Sequence, residues 1–254
     1  MLKLLIVGAS GGLGSTVTRE ALARGHAVSV LVRNADKLRV ALGDNAPSVS
    51  VHVGDGSDMS VLSAAANGVD AIIATGPPDA ALARAVGDAC VHSSTCRKVV
   101  WTAGGSEVRE QRIVLDVQSH VVWRDTFLFI CLGFVHFEQI NEADGKTPHY
   151  LAFGAMGNSF HAAHGPCVDS VIASGAKYII WCPGRMTSRG SKSSPPVPIL
   201  THAPPRGASP MDFVSYEDSA DVILRAVEST AWDNMRIAAV TNGQTTGAAP
   251  RGEL

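Results

Sequence analysis

Two patterns of apolar spacing alternate along the first hundred residues. Short apolar runs of strand length occur at Leu2–Val7, Ala27–Val32, Val49–Val53, Ala71–Ala74 and Lys98–Thr102. Between them, apolar residues recur at helical spacing over Leu13–Arg24, Asn34–Leu42, Met59–Ala66 and Ala80–Val91. In the first of these helices Leu13, Val17, Ala21 and Leu22 share one face. A strand that is apolar at consecutive positions must be covered on both sides, and strands separated by helices pair in parallel. With right-handed crossovers, the pattern predicts an α/β fold: a doubly wound parallel sheet of the Rossmann type with helices on both faces.

The alternation breaks after Thr102. From Ser106 to about Ala155 the residues are mixed, and Val121–Phe137, apolar and aromatic, suits either a strand pair or a helix. A helix is expected from Ala162 to Ser174 and a strand at Tyr178–Cys182. Ser188–Pro210, rich in Ser and Pro, reads as loop with one short strand at Val197–Leu200. Tyr216–Ser229 has helical spacing with Ala220, Ile223, Leu224 and Val227 inward, and Arg236–Val240 forms a last strand. The expected organisation is a single domain over residues 1–241. It has a long insertion between strands five and six, at about 106–160, and a flexible tail at 242–254.

The segment Gly8-Ala9-Ser10-Gly11-Gly12-Leu13-Gly14 fits G-x-x-G-x-x-G, begins where a strand ends and opens a helix. That context gives the glycines a mechanism. Gly8 allows a tight turn. Gly11 and Gly12 let backbone amides approach a pyrophosphate, and Gly14 lets the helix pack close to the strand. The helix N-terminus offers unsatisfied N–H groups to phosphates. Gly8, Ser10, Gly11, Gly12, Leu13 and Gly14 are therefore candidate cofactor-binding residues.

The end of the second strand bears on cofactor type. An acidic residue there would hold a ribose 2′-hydroxyl. Here the chain runs Leu31-Val32-Arg33-Asn34, with Lys37 one helical turn on. Arg33, helped by Ser10 and Lys37, suits a 2′-phosphate, so NADP is expected ahead of NAD; a solvated strand-end arginine is the plainer reading. Asp55, in Gly54-Asp55-Gly56, either accepts from an adenine amino group or is a turn residue. Gly56, Thr75, Gly76, Thr102 and Ala103 follow strands three, four and five and complete the expected carboxyl edge.

Composition narrows the partners. The chain has 25 glycines in 254 residues, about one in ten against a usual share of about 7%. Hydrophobic residues make up 46% and net charge is −2, with 21 basic and 23 acidic residues. That balance argues against disorder. A pI near 6.5 argues against nucleic-acid binding by bulk positive charge. The five cysteines (Cys90, Cys96, Cys131, Cys167 and Cys182) include no C-x-x-C. They read as reduced, mostly buried thiols of a cytoplasmic protein, with neither a zinc knuckle nor a redox pair. Met1–Val7 reads as a strand rather than a leader, and Phe127–Phe137 is too short to span a bilayer. A small-molecule substrate is expected, with no nucleic acid and no membrane; a homodimer or a regulatory protein partner stays open.

These residues together resemble the atypical short-chain dehydrogenase/reductase superfamily, in the branch of NmrA-like proteins and biliverdin-IXβ/flavin reductases. The resemblance rests on Ile6-Val7-Gly8-Ala9-Ser10-Gly11-Gly12-Leu13-Gly14, Val30-Leu31-Val32-Arg33-Asn34 and Val53-Gly54-Asp55. It continues with Gly68-Val69-Asp70-Ala71-Ile72-Ile73 and Lys98-Val99-Val100-Trp101-Thr102. Late in the chain it includes Ser174–Ile180 leading to Pro183-Gly184, and Phe213–Asp218 as a strand-to-helix step.

The resemblance implies an NADP(H)-dependent reductase. Hydride would pass from the nicotinamide to a small carbonyl, flavin-like or quinone-like acceptor. It also implies that Pro183 closes over the carboxamide and that Ser106 and His164 lie beside the nicotinamide as candidate catalytic residues. A loop serine and an ordinary helix histidine are their plainer readings. One departure matters: the Tyr-x-x-x-Lys pair is absent, since Gly154, Cys182 and Ala220 stand four residues after Tyr150, Tyr178 and Tyr216. That keeps open an NADP(H)-binding sensor of the NmrA type and, more weakly, a sugar-nucleotide epimerase-like enzyme. His149, His161 and His164 have no carboxylate or thiol at a recognisable spacing, so no metal is expected.

Overall fold

In the computed structural model, residues 1–103, 154–188, 190–201 and 213–241 are described. The alternation becomes β1 (Lys3–Val7), α1 (Gly12–Ala23), β2 (Ala27–Val32), α2 (Ala35–Leu42), β3 (Ser50–Val53) and α3 (Met59–Ala65). It continues as β4 (Ala71–Ala74), α4 (Ala80–His92) and β5 (Lys98–Thr102). After it come α5 (Gly154–Ala173), β6 (Tyr178–Trp181), β7 (Arg185–Thr187), β8 (Phe213–Ser215), α6 (Tyr216–Glu228) and β9 (Met235–Ile237).

Seven strands pair in parallel in the order β3-β2-β1-β4-β5-β6-β9. Because side chains alternate across a strand, each strand feeds two cores. Leu4 and Ile6, Val100, Ile179 and Trp181 pack with α1, α2 and α6 on one face. Leu5 and Val7, Val99, Trp101 and Ile180 pack with α3, α4 and α5 on the other. On α6, Ala220, Ile223, Leu224 and Val227 all point inward, as their spacing requires. No helix among the described residues is long and apolar enough to cross a membrane.

The second half departs from the expected elements in four places. The helix ahead of β6 begins at Gly154, inside the insertion expected over 106–160. Gly154, Gly157, Gly165 and Pro166 interrupt its apolar pattern without ending it. Val197–Leu200 is no strand; a single antiparallel bridge joins Leu200 to Ala238. Pro196 and Pro198 lack the N–H groups that a ladder needs. The last strand starts one residue early and ends at Ile237. Asn234 ties its start to β6, donating its N–H to the Tyr178 carbonyl at 2.7 Å and accepting the Tyr178 N–H on Oδ1 at 3.2 Å. Finally, β7 and β8 form a separate two-stranded parallel sheet. Three residues of strand are too short to carry a period. Ser106, Tyr150, His149, Cys131, the Val121–Phe137 segment and the 242–254 tail lie outside the described residues.

Close packing at the first turn positions everything near it. Gly8 has φ +88°. A Cβ on Gly14 would run into the Gly8 carbonyl oxygen, and would lie 2.7 Å from Thr75 Oγ1 and 2.9 Å from Ala9 Cα. Gly14→Ala is therefore expected to cost about 1–3 kcal/mol, read as a lower urea midpoint. Gly76→Ala, whose Cβ would meet nothing nearer than Leu82 Cδ2 at 3.9 Å, is expected to stay within about 0.5 kcal/mol of wild type. Equal effects would show that helix–strand contact does not dictate Gly14.

Candidate functional site

Strand β1 lies between β2 and β4, so the connections leaving its carboxyl end and that of β4 diverge. This is where open α/β sheets form a ligand crevice. A cavity of about 640 Å³ opens there, lined in part by Gly8, Gly11, Gly12, Thr75 and Gly76.

The glycine turn forms its floor. The Gly8 N–H donates to the Leu31 carbonyl at 3.2 Å and the Gly11 N–H to the Gly8 carbonyl at 3.0 Å. Helix α1 starts at Gly12 with no side-chain cap and no acidic residue in its first turn. By contrast, Asn34, Asp58, Asp79 and Ser215 cap α2, α3, α4 and α6. The first amides of α1 thus lack side-chain partners, and Gly12 and Leu13, which carry two of them, line the cavity. An anion there would satisfy such amides and meet the positive end of the helix dipole.

One end of the cavity is basic and wet. Arg33 and Lys37 line it and are exposed; among the described residues neither side chain has a hydrogen bond or salt bridge. Asp55 Oδ1 accepts from the Ser57 N–H at 2.9 Å and from Ser57 Oγ at 2.8 Å. Those bonds, with the nearby charge of Arg33, hold its carboxyl below the usual range. Asp55 is thus a turn residue that also faces the cavity.

The other end is dry. Thr102 at the end of β5, His164 on α5, Met186 on β7 and Tyr216 at the start of α6 line it together. His164 is 3% exposed and stacks on Phe160 with ring centroids 4.3 Å apart. Among the described residues, its Nδ1 and the hydroxyl of Thr102 are buried without a hydrogen-bond partner. Such atoms are costly unless something completes them. Burial lowers the His164 pKa to about 4, so near pH 7 the ring is neutral, with one donor nitrogen and one acceptor.

Tyr216 and Met186 are the residues that sequence reasoning missed. A Cβ on Gly12 would come within 2.7 Å of the Tyr216 ring, so Gly12 makes room for Tyr216 as well as for any ligand. The first turn of α6 is fixed by Asp218, which is 1% exposed. Its carboxylate accepts from the Ser193 N–H at 2.7 Å, Ser193 Oγ at 2.8 Å and Thr241 Oγ1 at 2.6 Å. The signal for Tyr216 lies in Phe213–Asp218, the strand-to-helix step whose first helical residue reaches the cavity.

Of the candidates read from the sequence, Gly8, Ser10, Gly11, Gly12, Leu13, Arg33, Lys37, Asp55, Gly56, Thr75, Gly76, Thr102 and His164 line this one cavity. Gly14, Ala103 and Pro183 do not. Gly14 sits beneath the turn. Ala103 is buried, with its N–H on the Trp181 carbonyl at 2.8 Å. Pro183, expected over a nicotinamide carboxamide, is buried just past β6 and away from the lining. Ser106 lies outside the described residues.

Residues 8–127 match the model of a family described as NAD(P)H-binding. Comparison with curated proteins returned no significant match. Among solved structures the chain is similar to a short-chain dehydrogenase/reductase from Veillonella parvula in complex with NADP. That pair has a TM-score of 0.63 at 12% identity over 96% of each chain. It is also similar to a Rossmann-fold NAD(P)-binding protein from Shigella flexneri, with a TM-score of 0.63 at 15% identity over 98% of each chain. A third similar structure is an anaerobillin reductase from Escherichia coli, with a TM-score of 0.60 at 19% identity, covering 98% of this chain and 99% of that one. The chain therefore has the Rossmann-like α/β fold of these proteins, with an NAD(P)H-binding family match over residues 8–127.

The dry end of the cavity holds no lysine among the described residues, and its buried base is a histidine. The sign of its linkage follows from burial. The folded pKa, about 4, lies below the ordinary histidine value of 6.5, so His164 contributes stability above about pH 6.5 that is lost as pH falls toward 4. Relative to His164→Gln, wild type should lose up to about 3 kcal/mol across that interval, measured by urea unfolding at each pH. A titration midpoint near 6.5 for the His164 ring, read by NMR, would place it in solvent instead.

Proposed function

We propose that this protein is an NADP(H)-dependent reductase acting on a small carbonyl, flavin-like or quinone-like acceptor. The observation that supports it is the sequence of features along a single cavity. Arg33 and Lys37, unpaired among the described residues, lie at one end, the uncapped start of α1 lies between, and the buried His164 Nδ1 and Thr102 Oγ1, which have no partner among those residues, lie at the other. A dinucleotide has the same order of needs: phosphate on ribose, pyrophosphate, then a polar ring that is shielded from water.

The residues fit that cofactor. Arg33 and Lys37 would hold the 2′-phosphate by charge-assisted hydrogen bonds, and the turn from Gly8 to Leu13 would hold the pyrophosphate. Bound NADPH supplies a hydride from nicotinamide C4. Thr102 and His164 would orient the acceptor and keep water out, with Tyr216 and Met186 closing the wall. A neutral imidazole donates a hydrogen bond but is a weak proton source. Acceptors that spread the incoming charge over a conjugated system, flavin-like or quinone-like, therefore suit it better than isolated carbonyls. The reduced acceptor then takes up its proton from solvent as it leaves the site. The reductase activity of the similar Escherichia coli structure is in keeping with this reading.

A second reading rests on the missing lysine: a sensor of the NmrA type that binds NADP(H) without turnover and signals to a protein partner. The test follows nicotinamide absorbance in mixtures of protein, NADPH and a panel of flavins, quinones and aldehydes. Oxidation with a flavin or quinone is expected; binding without oxidation across the panel would overturn the reductase in favour of the sensor. Arg33→Ala should weaken NADPH binding about tenfold or more and leave NADH unchanged. Unchanged NADPH affinity would remove the 2′-phosphate assignment.

A further inference from the structure

At the far end of α4 from the cavity, two thiols meet that the spacing along the chain gave no reason to pair. Cys90 lies in the last turns of α4 and is 3% exposed; Cys96, half-buried, lies just before β5. Their sulfurs are 2.6 Å apart, and both are free. The turn between them is built to hold this approach. Ser93 ends α4 with its N–H on the Ala89 and Cys90 carbonyls. Its hydroxyl then accepts the Thr95 N–H at 3.3 Å and the Cys96 N–H at 3.1 Å, folding the chain back. A disulfide has an S–S length near 2.05 Å, so closing the bond needs a movement of about half an ångström.

We propose that Cys90 and Cys96 are a site of reversible oxidation to an intrachain disulfide by a hydroperoxide. The hydrogen bond that Cys96 donates draws the Cys90 thiol below its ordinary value, while the same bond and burial hold Cys96 above its own. The first negative charge of the pair therefore rests on Cys90, and the half-buried Cys96 side is where an oxidant approaches. The Cys90 thiolate attacks hydrogen peroxide: an S–O bond forms, the O–O bond breaks, and hydroxide leaves with the Cys96 proton as water. The Cys96 sulfur then attacks the Cys90 sulfenic acid. The S–S bond forms, the S–O bond breaks, and the departing hydroxide takes up the proton Cys90 first released. Two thiols and one peroxide give one disulfide and two waters.

The product would tie the end of α4 to the start of β5. Those elements reach the cavity at their other ends, through Asp79 and Leu82 for α4 and Thr102 for β5. The site is independent of the function proposed above, since it lies away from the cavity.

The test uses the full chain, oxidised with hydrogen peroxide, alkylated and digested with trypsin. Cleavage after Arg84 and Arg97 puts both cysteines, and no other, on the peptide Ala85–Arg97. The expected result is that this peptide escapes alkylation, is lighter by two hydrogens than its reduced form, and takes two alkyl groups after dithiothreitol. Peptide that still takes two alkyl groups after peroxide, or carries sulfinic oxygen instead of the bridge, would overturn the proposal. Cys96→Ser should leave Cys90 unable to form the bridge; a two-hydrogen loss in that variant's peptide would equally overturn it.

Discussion

The contact between the start of α1 and the ends of β1 and β4 is the constraint on which this molecule turns. Gly14 brings the helix against the Gly8 carbonyl and Thr75, and Thr75 is itself anchored by its hydroxyl on the Val7 carbonyl at 3.0 Å. The approach is possible because no side chain intervenes. The same economy leaves α1 without a cap, whereas four other helices satisfy their first amides with their own Asn, Asp or Ser. A capping side chain at Gly11 would have satisfied the local amides. Leaving it out keeps them for something else, at the place in the sheet where a ligand would lie.

The opposite wall is assembled by long-range polar contacts. Asp218 draws together Ser193, Thr241 and the first turn of α6. Asp221, one turn later, bonds Arg24 at 2.6 Å and Lys192 and Arg225 at 2.8 Å each. Burial pushes the Asp221 carboxyl up, but the hydrogen bonds from Lys192 and Arg225 outweigh it and hold the group below its ordinary value. Removing any one partner would leave the buried carboxylate with fewer of the charges that offset its desolvation. The network therefore acts as a positional lock: it sets α6 against α1, and with it the ring of Tyr216 over Gly12.

What the sequence made legible divides along the same line. The first half could be read because its central strands β1 and β4 are apolar at nearly every position and its helices have a clear face, only the edge strand β3 alternating; its elements agree with the structure to within a residue or two. The glycine turn was legible because its residues are contiguous. Tyr216 and Met186 were not, because Met186 enters the cavity from the three-residue β7 and Tyr216 from the helix start just after the three-residue β8, far along the chain from Gly8. The start of α5 was hidden by glycines and a proline that helical packing tolerates. The Cys90–Cys96 contact follows from the way Ser93 turns the chain back, which no cysteine spacing encodes. His164 could be named from its place ahead of β6, but its neutrality depends on Phe160 and the surrounding burial.

The two ends of the cavity ask different things of a ligand. At the Arg33–Lys37 end, charges are exposed and screened, so they discriminate between cofactors more than they add raw affinity. At the His164 end, burial removes the positive charge that a histidine near pH 7 would partly carry, and with it the most direct source of a proton. Under the proposed reductase chemistry, that end stabilises developing negative charge only through hydrogen bonds, from an imidazole N–H and the Thr102 hydroxyl in a site shielded from water. Preorganised dipoles in such a site act more strongly than in water. They are best used when the acceptor itself spreads the charge. The absence of a lysine-assisted tyrosine is then less a lost catalyst than a sign of which acceptors the cavity suits.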